Sequence, residues 1–243
     1  MREYERFIAD AIRIVDAAKV QGITLRLLGG VAVAIHCHAF HPEHVRDYHD
    51  VDLFGLLKES RGIHSVMSKL GYSADIMLNA LRGVTRLRFN KETMCVDVFL
   101  DKFVMEHVID FRERLELDSL TIPLSDLFLT KLQNVKLAIK DLDDIIALLE
   151  DHNVGHSDAH DLLNVDYIAA LCSNEWGLWR TVTGNLEKVS AQIESDISIK
   201  NRTELLQKLS SIRYAIAFTD KTFRWRLRAQ VGEKVKWYYD VED

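Results

Sequence analysis

Asp50 and Asp52 stand two residues apart in Asp50-Val51-Asp52-Leu53-Phe54, a run with the period of a β-strand. A period of two sends both carboxylates to one face and Val51 to the other. Asp97, set between Val96 and Val98 in a second such run, reaches the same face if the two strands are neighbours. Acids flanked by aliphatic residues in strands are costly places for charge unless something compensates it. A divalent cation does so, and Mg²⁺ favours a few carboxylates together with phosphate oxygens of a substrate. Three converging carboxylates are the usual protein part of a two-metal phosphoryl-transfer site. Asp-x-Asp on its own is also what a surface turn shows.

Gly29-Gly30 adds to this pattern. It follows the strand-like Ile23–Leu28 and opens the apolar run Val31-Ala32-Val33-Ala34-Ile35-His36, which reads as a buried helix. Backbone N–H groups and the positive end of a helix hold phosphate well. A tight strand-to-helix turn without a ligand uses the same residues.

Taken together, Leu27-Leu28-Gly29-Gly30, Arg46 four residues before Asp50-Val51-Asp52, and Val96-Asp97-Val98 resemble the nucleotidyltransferase superfamily of polymerase-β-like folds. Within it the chain looks most like the AbiEii/AbiGii-type toxin nucleotidyltransferases, whose later helical Lys and Asp are matched by Lys131 and by Lys140-Asp141 with Asp144. The matching motifs span about residues 25–145. Val31 stands where Ser or Thr is common, Tyr48 replaces a small residue, and residues 38–49 lengthen the Gly30-to-Asp50 spacing. The resemblance implies a Mg²⁺-dependent enzyme with a two-metal site, Mn²⁺ being the alternative ion. Asp50, Asp52 and Asp97 would be metal ligands and, with Lys131, catalytic. Gly29, Gly30, Arg46 and Asp144 would bind nucleotide. The reaction would move a nucleoside monophosphate from an NTP to an acceptor hydroxyl. The alternative is a non-catalytic nucleotide- or partner-binding module on the same fold, as in half of a toxin–antitoxin pair, with an antitoxin protein as partner.

Other residues invite chemistry. His36, Cys37, His38, His41, His44 and His49 crowd 14 positions, yet they lack a recognisable zinc spacing. The stretch reads better as a loop bordering the active site, where His49 orients an acidic ligand or touches phosphate; structural zinc is the competing reading. Cys95 has no paired base and reads as a small buried residue. Arg86 and Arg88 alternate along one strand and either meet a triphosphate or form a solvated face. Trp176 and Trp179 fall three apart on a helix and read as packing anchors. Asp141, Asp143 and Asp144 suit a helix N-terminus.

The elements that must carry these residues are α/β at first and helical later. An amphipathic helix over 3–20 places Phe7, Ile8, Ala11, Ile12 and Val15 at helical spacing, and Gly22 ends it. Strands follow at 23–28, 50–57, 84–90, 94–100 and 114–117, with helices at 29–36 and 59–70. After Pro123 helices are expected from Ser125 as N-cap, from Asp141, and near 159–172, 176–198 and 201–228. The fold class is α+β: a small mixed sheet with flanking helices, then a helical C-terminal part. The expected boundaries are 1–122 for the α/β core and 123–243 for the helical domain.

Composition limits the partners. The 243 residues contain 2 prolines, 11 glycines and 48% hydrophobic residues, which excludes disordered and collagen-like chains. The sequence has no apolar run of spanning length and no secretion signal at its start, and its three separated cysteines suit a reducing compartment, so a cytoplasmic protein is expected. The net charge is −6, but Asn201–Lys236 carries nine Lys/Arg against three acids, a net +6, while the remainder carries 22 against 34, a net −12. Phe223, Trp225, Trp237, Tyr238 and Tyr239 interleave with or follow these cations. Such a segment is either a solvated face or a surface for backbone phosphates and stacked bases, which would make RNA, or a tRNA end, the acceptor.

Overall fold

The structure is a computed structural model that describes residues 3–37 and 50–241. Arg46, Tyr48 and the histidines at 38, 41, 44 and 49 lie outside the described residues. The chain divides into two compact units, Met1–Val104 with Val108–Pro123, and Met105–His107 with Leu124–Asp243.

In the first unit, helix α1 (Glu3–Val20) buries Ala11, Ile14, Val15 and Ala18, the stripe that a 3.6-residue period aligns. Strand β1 (Leu25–Leu28) leads straight into α2 (Gly29–His36), which is buried almost all round. Then come β2 (Asp50–Gly55), α3 (Ser60–Lys69), β3 (Ser73–Ala74), α4 (Ile76–Arg82), β4 (Arg86–Lys91) and β5 (Met94–Leu100). The five strands form one sheet in the order β1-β2-β5-β4-β3. Among the described residues β2 and β5 run parallel, and the other neighbouring strands of this sheet are antiparallel. Val51, Leu53 and Phe54 of β2 and Val96, Val98, Phe99 and Leu100 of β5 are buried. Each contributes about 1.5–3 kcal/mol relative to an exposed position, and a one-residue slip would reverse the face of every side chain. These apolar residues therefore fix the register that sets the aspartates. A small hairpin, β6 (Lys102–Val104) and β7 (Val108–Asp110), follows.

The strand expected at 114–117 is not formed. Residues 112–114 make a 3-10 turn, Leu117 N–H returns to the Arg114 carbonyl, and only Leu115 of the four is buried. The Asp118 carboxylate takes the N–H groups of Leu120 and Thr121, turning the chain. Leu27 N–H then bonds to the Leu120 carbonyl, and Ile122 N–H to that of Leu27.

The second unit is helical: α5 (Leu124–Leu132), α6 (Ile139–Asp151), α7 (Val165–Asn174), α8 (Trp176–Ser195), α9 (Arg202–Phe218) and α10 (Phe223–Val231). A two-stranded parallel ladder, β8 (Asn153–Gly155) with β9 (Leu162–Asn164), interrupts it where only helices were expected. Several boundaries differ from the sequence expectation. Ser125 lies inside α5, not at its cap, and its hydroxyl accepts from Asn164 N–H. The helix expected from 159 begins at Val165, because the Asn164 side chain caps it by accepting from Asp166 and Tyr167 N–H. The helix expected over 201–228 is two, since Thr222 caps a new one by accepting from Trp225 N–H. Among the described residues no helix is long and apolar enough to cross a membrane.

Candidate active site

Register places the acids in one row. Leu28 of β1 pairs with Asp52 of β2, Asp52 with Asp97 of β5, and Asp97 with Arg88 of β4. Partners directly opposite on neighbouring strands share a face, so Asp52, Asp97 and Arg88 lie side by side. Asp50, two residues before Asp52, shares that face and is exposed; Asp52 is half-buried. The sheet edge toward β1 closes the row with Gly29. Its φ of +70° lies in the left-handed region, and a Cβ there would overlap Asp52 Oδ2. Two constraints thus require glycine at one position: the turn from β1 into α2, and the carboxylate lying on its Cα. Gly30 follows within the first turn of α2. Behind this turn His36 is buried, its Nε2 2.7 Å from Thr121 Oγ1.

Asp97 is 2% exposed, and both of its oxygens are hydrogen-bonded to arginines. Arg88 Nε and Nη2 donate side-on to Oδ1 and Oδ2 at 2.8 and 2.9 Å. Arg86 Nη2 donates to Oδ2 at 2.5 Å. Burial alone would raise the Asp97 carboxyl, but hydrogen bonds from Arg88 and then Arg86 outweigh it and hold the group below its ordinary range. The same pair raises Arg88, chiefly through its hydrogen bond to Asp97. Arg86 keeps one buried donor, Nε, with no acceptor among the described residues. An unsatisfied buried donor costs about 1–3 kcal/mol. Cys95, the register partner of Asp50, is half-buried, and burial pushes its thiol up; it has the character of a packing residue.

Asp50 and Asp52 supply a hard, all-oxygen donor set, and the Asp52 carboxylate has a seat that only glycine leaves open. That fits Mg²⁺, which is commonly held by one or two carboxylates with substrate phosphates and water. Asp97 enters such a set only by exchanging a guanidinium for the ion. Among the described residues no three His, Cys, Asp or Glu side chains are grouped so as to hold a metal ion.

Apart from Arg46, which lies outside the described residues, the remaining sequence candidates belong to the second unit. Lys131 on α5 is buried, with Nζ 3.1 Å from Asp141 Oδ1 and 2.9 Å from Asp144 Oδ2 on α6. Asn134 adds a bond to Asp141. One cation between two buried carboxylates pins α5 to α6. Seven of the nine cations of Asn201–Lys236 hold partners within the chain. Arg228, for example, bonds to the carbonyls of Gly232 and Val235 and lies 4.6 Å from the centre of the Trp176 ring. The four tryptophans form a continuous series of ring contacts, Trp225–Trp179–Trp176–Trp237. Phe223, Tyr239, Arg226 and Lys234 remain exposed.

The pairing of Arg86 and Arg88 with Asp97 was not read from the sequence. Its signal is there: Arg-x-Arg on one strand and a single acid on the next, joined by a hairpin, put like faces opposite each other.

No protein-family model matches this chain, and no curated protein does. Among solved structures it is similar to the solution structure of the antibiotic-resistance factor ANT(2'')-Ia, at 12% identity and a TM-score of 0.41, over 60% of this chain and 83% of that one. It is also similar to the lincomycin-bound crystal structure of the lincosamide antibiotic adenylyltransferase LnuA, at 15% identity and a TM-score of 0.42, over 60% and 96%.

Proposed function

We propose that the chain is a divalent-metal-dependent nucleotidyltransferase in which an acceptor hydroxyl attacks the α-phosphorus of an NTP, taking the nucleoside monophosphate and releasing pyrophosphate. The observation that carries the reading is the row on one sheet face, Asp52 beside Asp97 with Asp50 next to it, ending at a glycine turn on which the Asp52 carboxylate rests. Asp50 and Asp52 would hold the ion, Mg²⁺ or Mn²⁺. When bound, that ion supplies positive charge against the phosphoryl oxygens. Gly29 and Gly30 would seat phosphates at the start of α2, where N–H groups lack helical acceptors. Asp97, ionised, would take the proton of the attacking hydroxyl. A carboxylate held below its usual range by two guanidiniums is a weak base, so that step requires at least one of them to let go.

Arg46, Lys131 and Asp144 enter only through the family resemblance: Arg46 and Lys131 as countercharges, Asp144 as a nucleotide contact. The acceptor we favour is RNA, a tRNA end among the candidates, bound where Phe223, Arg226, Lys234 and Tyr239 are exposed. Because most neighbouring cations are engaged internally, that surface is narrower than the +6 charge suggests. A protein antitoxin as partner rests on the resemblance alone.

Incubation with each α-labelled NTP, Mg²⁺ and total RNA tests the reading. Label entering RNA supports the transferase. Nucleotide binding with no transfer to RNA, protein or small hydroxyl compounds supports a binding module instead.

A further inference from the structure

The two arginines on Asp97 are not equivalent. Arg88 is held by two parallel hydrogen bonds, the side-on geometry that fits a guanidinium to a carboxylate. Arg86 makes a single bond, through Nη2, to an oxygen that Arg88 already serves. Its Nε–H is buried with no acceptor among the described residues, and its guanidinium carbon lies 5.0 Å from the centre of the Phe99 ring. The clamp carries two positive charges against one negative. Arg86 therefore has spare donors. It lies two residues from Arg88 on β4, so it shares the face that presents Asp52 and Asp97.

We propose that Arg86 is an anion-binding residue for the polyphosphate of the substrate, and that binding draws it off Asp97. A phosphate accepts two parallel N–H bonds from a guanidinium, including the one that Nε leaves unused. Arg88 stays in place, so Asp97 keeps a countercharge during the exchange, while Oδ2 loses one donor. The third carboxylate of the row becomes accessible only when the anion has arrived. The second half of this proposal rests on the metal-site reading above; the anion-binding half does not.

Tripolyphosphate added to the full-length chain in EDTA, followed by NMR of ¹⁵N-labelled arginine side chains, tests the first half. The Arg86 Nε–H resonance is expected to shift on titration while that of Arg88 stays. Arg86→Met is expected to weaken tripolyphosphate binding roughly tenfold or more, the value of a charge-assisted hydrogen bond. Should that variant not fold, Arg86→Lys keeps the charge without the Nε–H and gives the same comparison. Equal affinity in variant and wild type, an unmoved Arg86 resonance, or an equal response to sulfate would overturn the proposal.

Mn²⁺ binding followed by electron paramagnetic resonance, without nucleotide, tests the second half. Arg86→Met is expected to bind Mn²⁺ more tightly than wild type, and Arg86→Met with Asp97→Asn is expected to lose that gain. No gain in the single variant overturns the masking of Asp97. If Asp50→Asn with Asp52→Asn leaves Mn²⁺ affinity unchanged, the metal reading fails instead, and the NMR result stands separately.

Discussion

Asp52 and Asp97 are register partners on the parallel strand pair β2 and β5, yet their surroundings differ. Asp52 rests on the backbone of Gly29, whereas Asp97 is enclosed by two guanidiniums. One row of carboxylates thus contains a seat suited to a hard cation and a neighbour already neutralised by protein charge.

Gly29→Ala is expected to impair function more than folding. The new Cβ meets the Asp52 carboxylate and must adopt a left-handed φ, a strain of about 1–3 kcal/mol. Thermal denaturation should show a folded protein with lowered Tm, and transfer should fall further than the loss of folded protein explains. Unchanged transfer would show that the Asp52 position is not critical.

Arg88→Met is expected to destabilise the first unit by about 1–3 kcal/mol in urea denaturation, because it leaves a buried carboxylate with one remaining donor. Arg86→Met, which removes one bond rather than two, should cost less. In an Asp97→Asn background both costs should shrink, since no charge is left uncompensated.

Lys131→Met is expected to cost about 3–5 kcal/mol, leaving Asp141 and Asp144 buried without their common cation. Adding Asp144→Asn should recover part of that loss if the triad acts as a staple. A stable Lys131→Met protein with abolished transfer would assign Lys131 to chemistry instead.

Much of the row was legible because its determinants are local. Alternation in β2 and β5 assigns faces, and Gly-Gly after a strand marks the turn. The mixed class, with helices after Pro123, follows from the change of period. What was missed depends on partners distant in sequence or on side-chain competition for backbone groups. Arg114–Leu117 alternates like a strand, but Asp118 turns the next residues and no described strand pairs with it. Asn164 and Thr222 decide where helices begin, and neither stands out from composition. The +6 segment reads as a free basic surface until the partners of seven of its nine cations are known. Arg228, for instance, caps a turn and covers Trp176.

Stability should depend on pH through His107. It is buried with Nε2 2.9 Å from Thr181 Oγ1, and burial pushes it down to about 4. Between that value and the ordinary ~6.5 the unfolded chain binds the proton that the folded chain refuses. The contribution is present in full above about 6.5 and is lost as pH falls toward 4. Urea midpoints measured across this window should decline for wild type and decline less for His107→Gln.

Pyrophosphate release from an NTP in the presence of Mg²⁺ and total RNA, compared between wild type and Asp50→Asn with Asp52→Asn, bears most directly on the carboxylate row. The expected result is release that requires both the metal and the two aspartates, with a loss of at least about 100-fold in a variant that keeps its Tm. A folded double variant that releases pyrophosphate at the wild-type rate would contradict it.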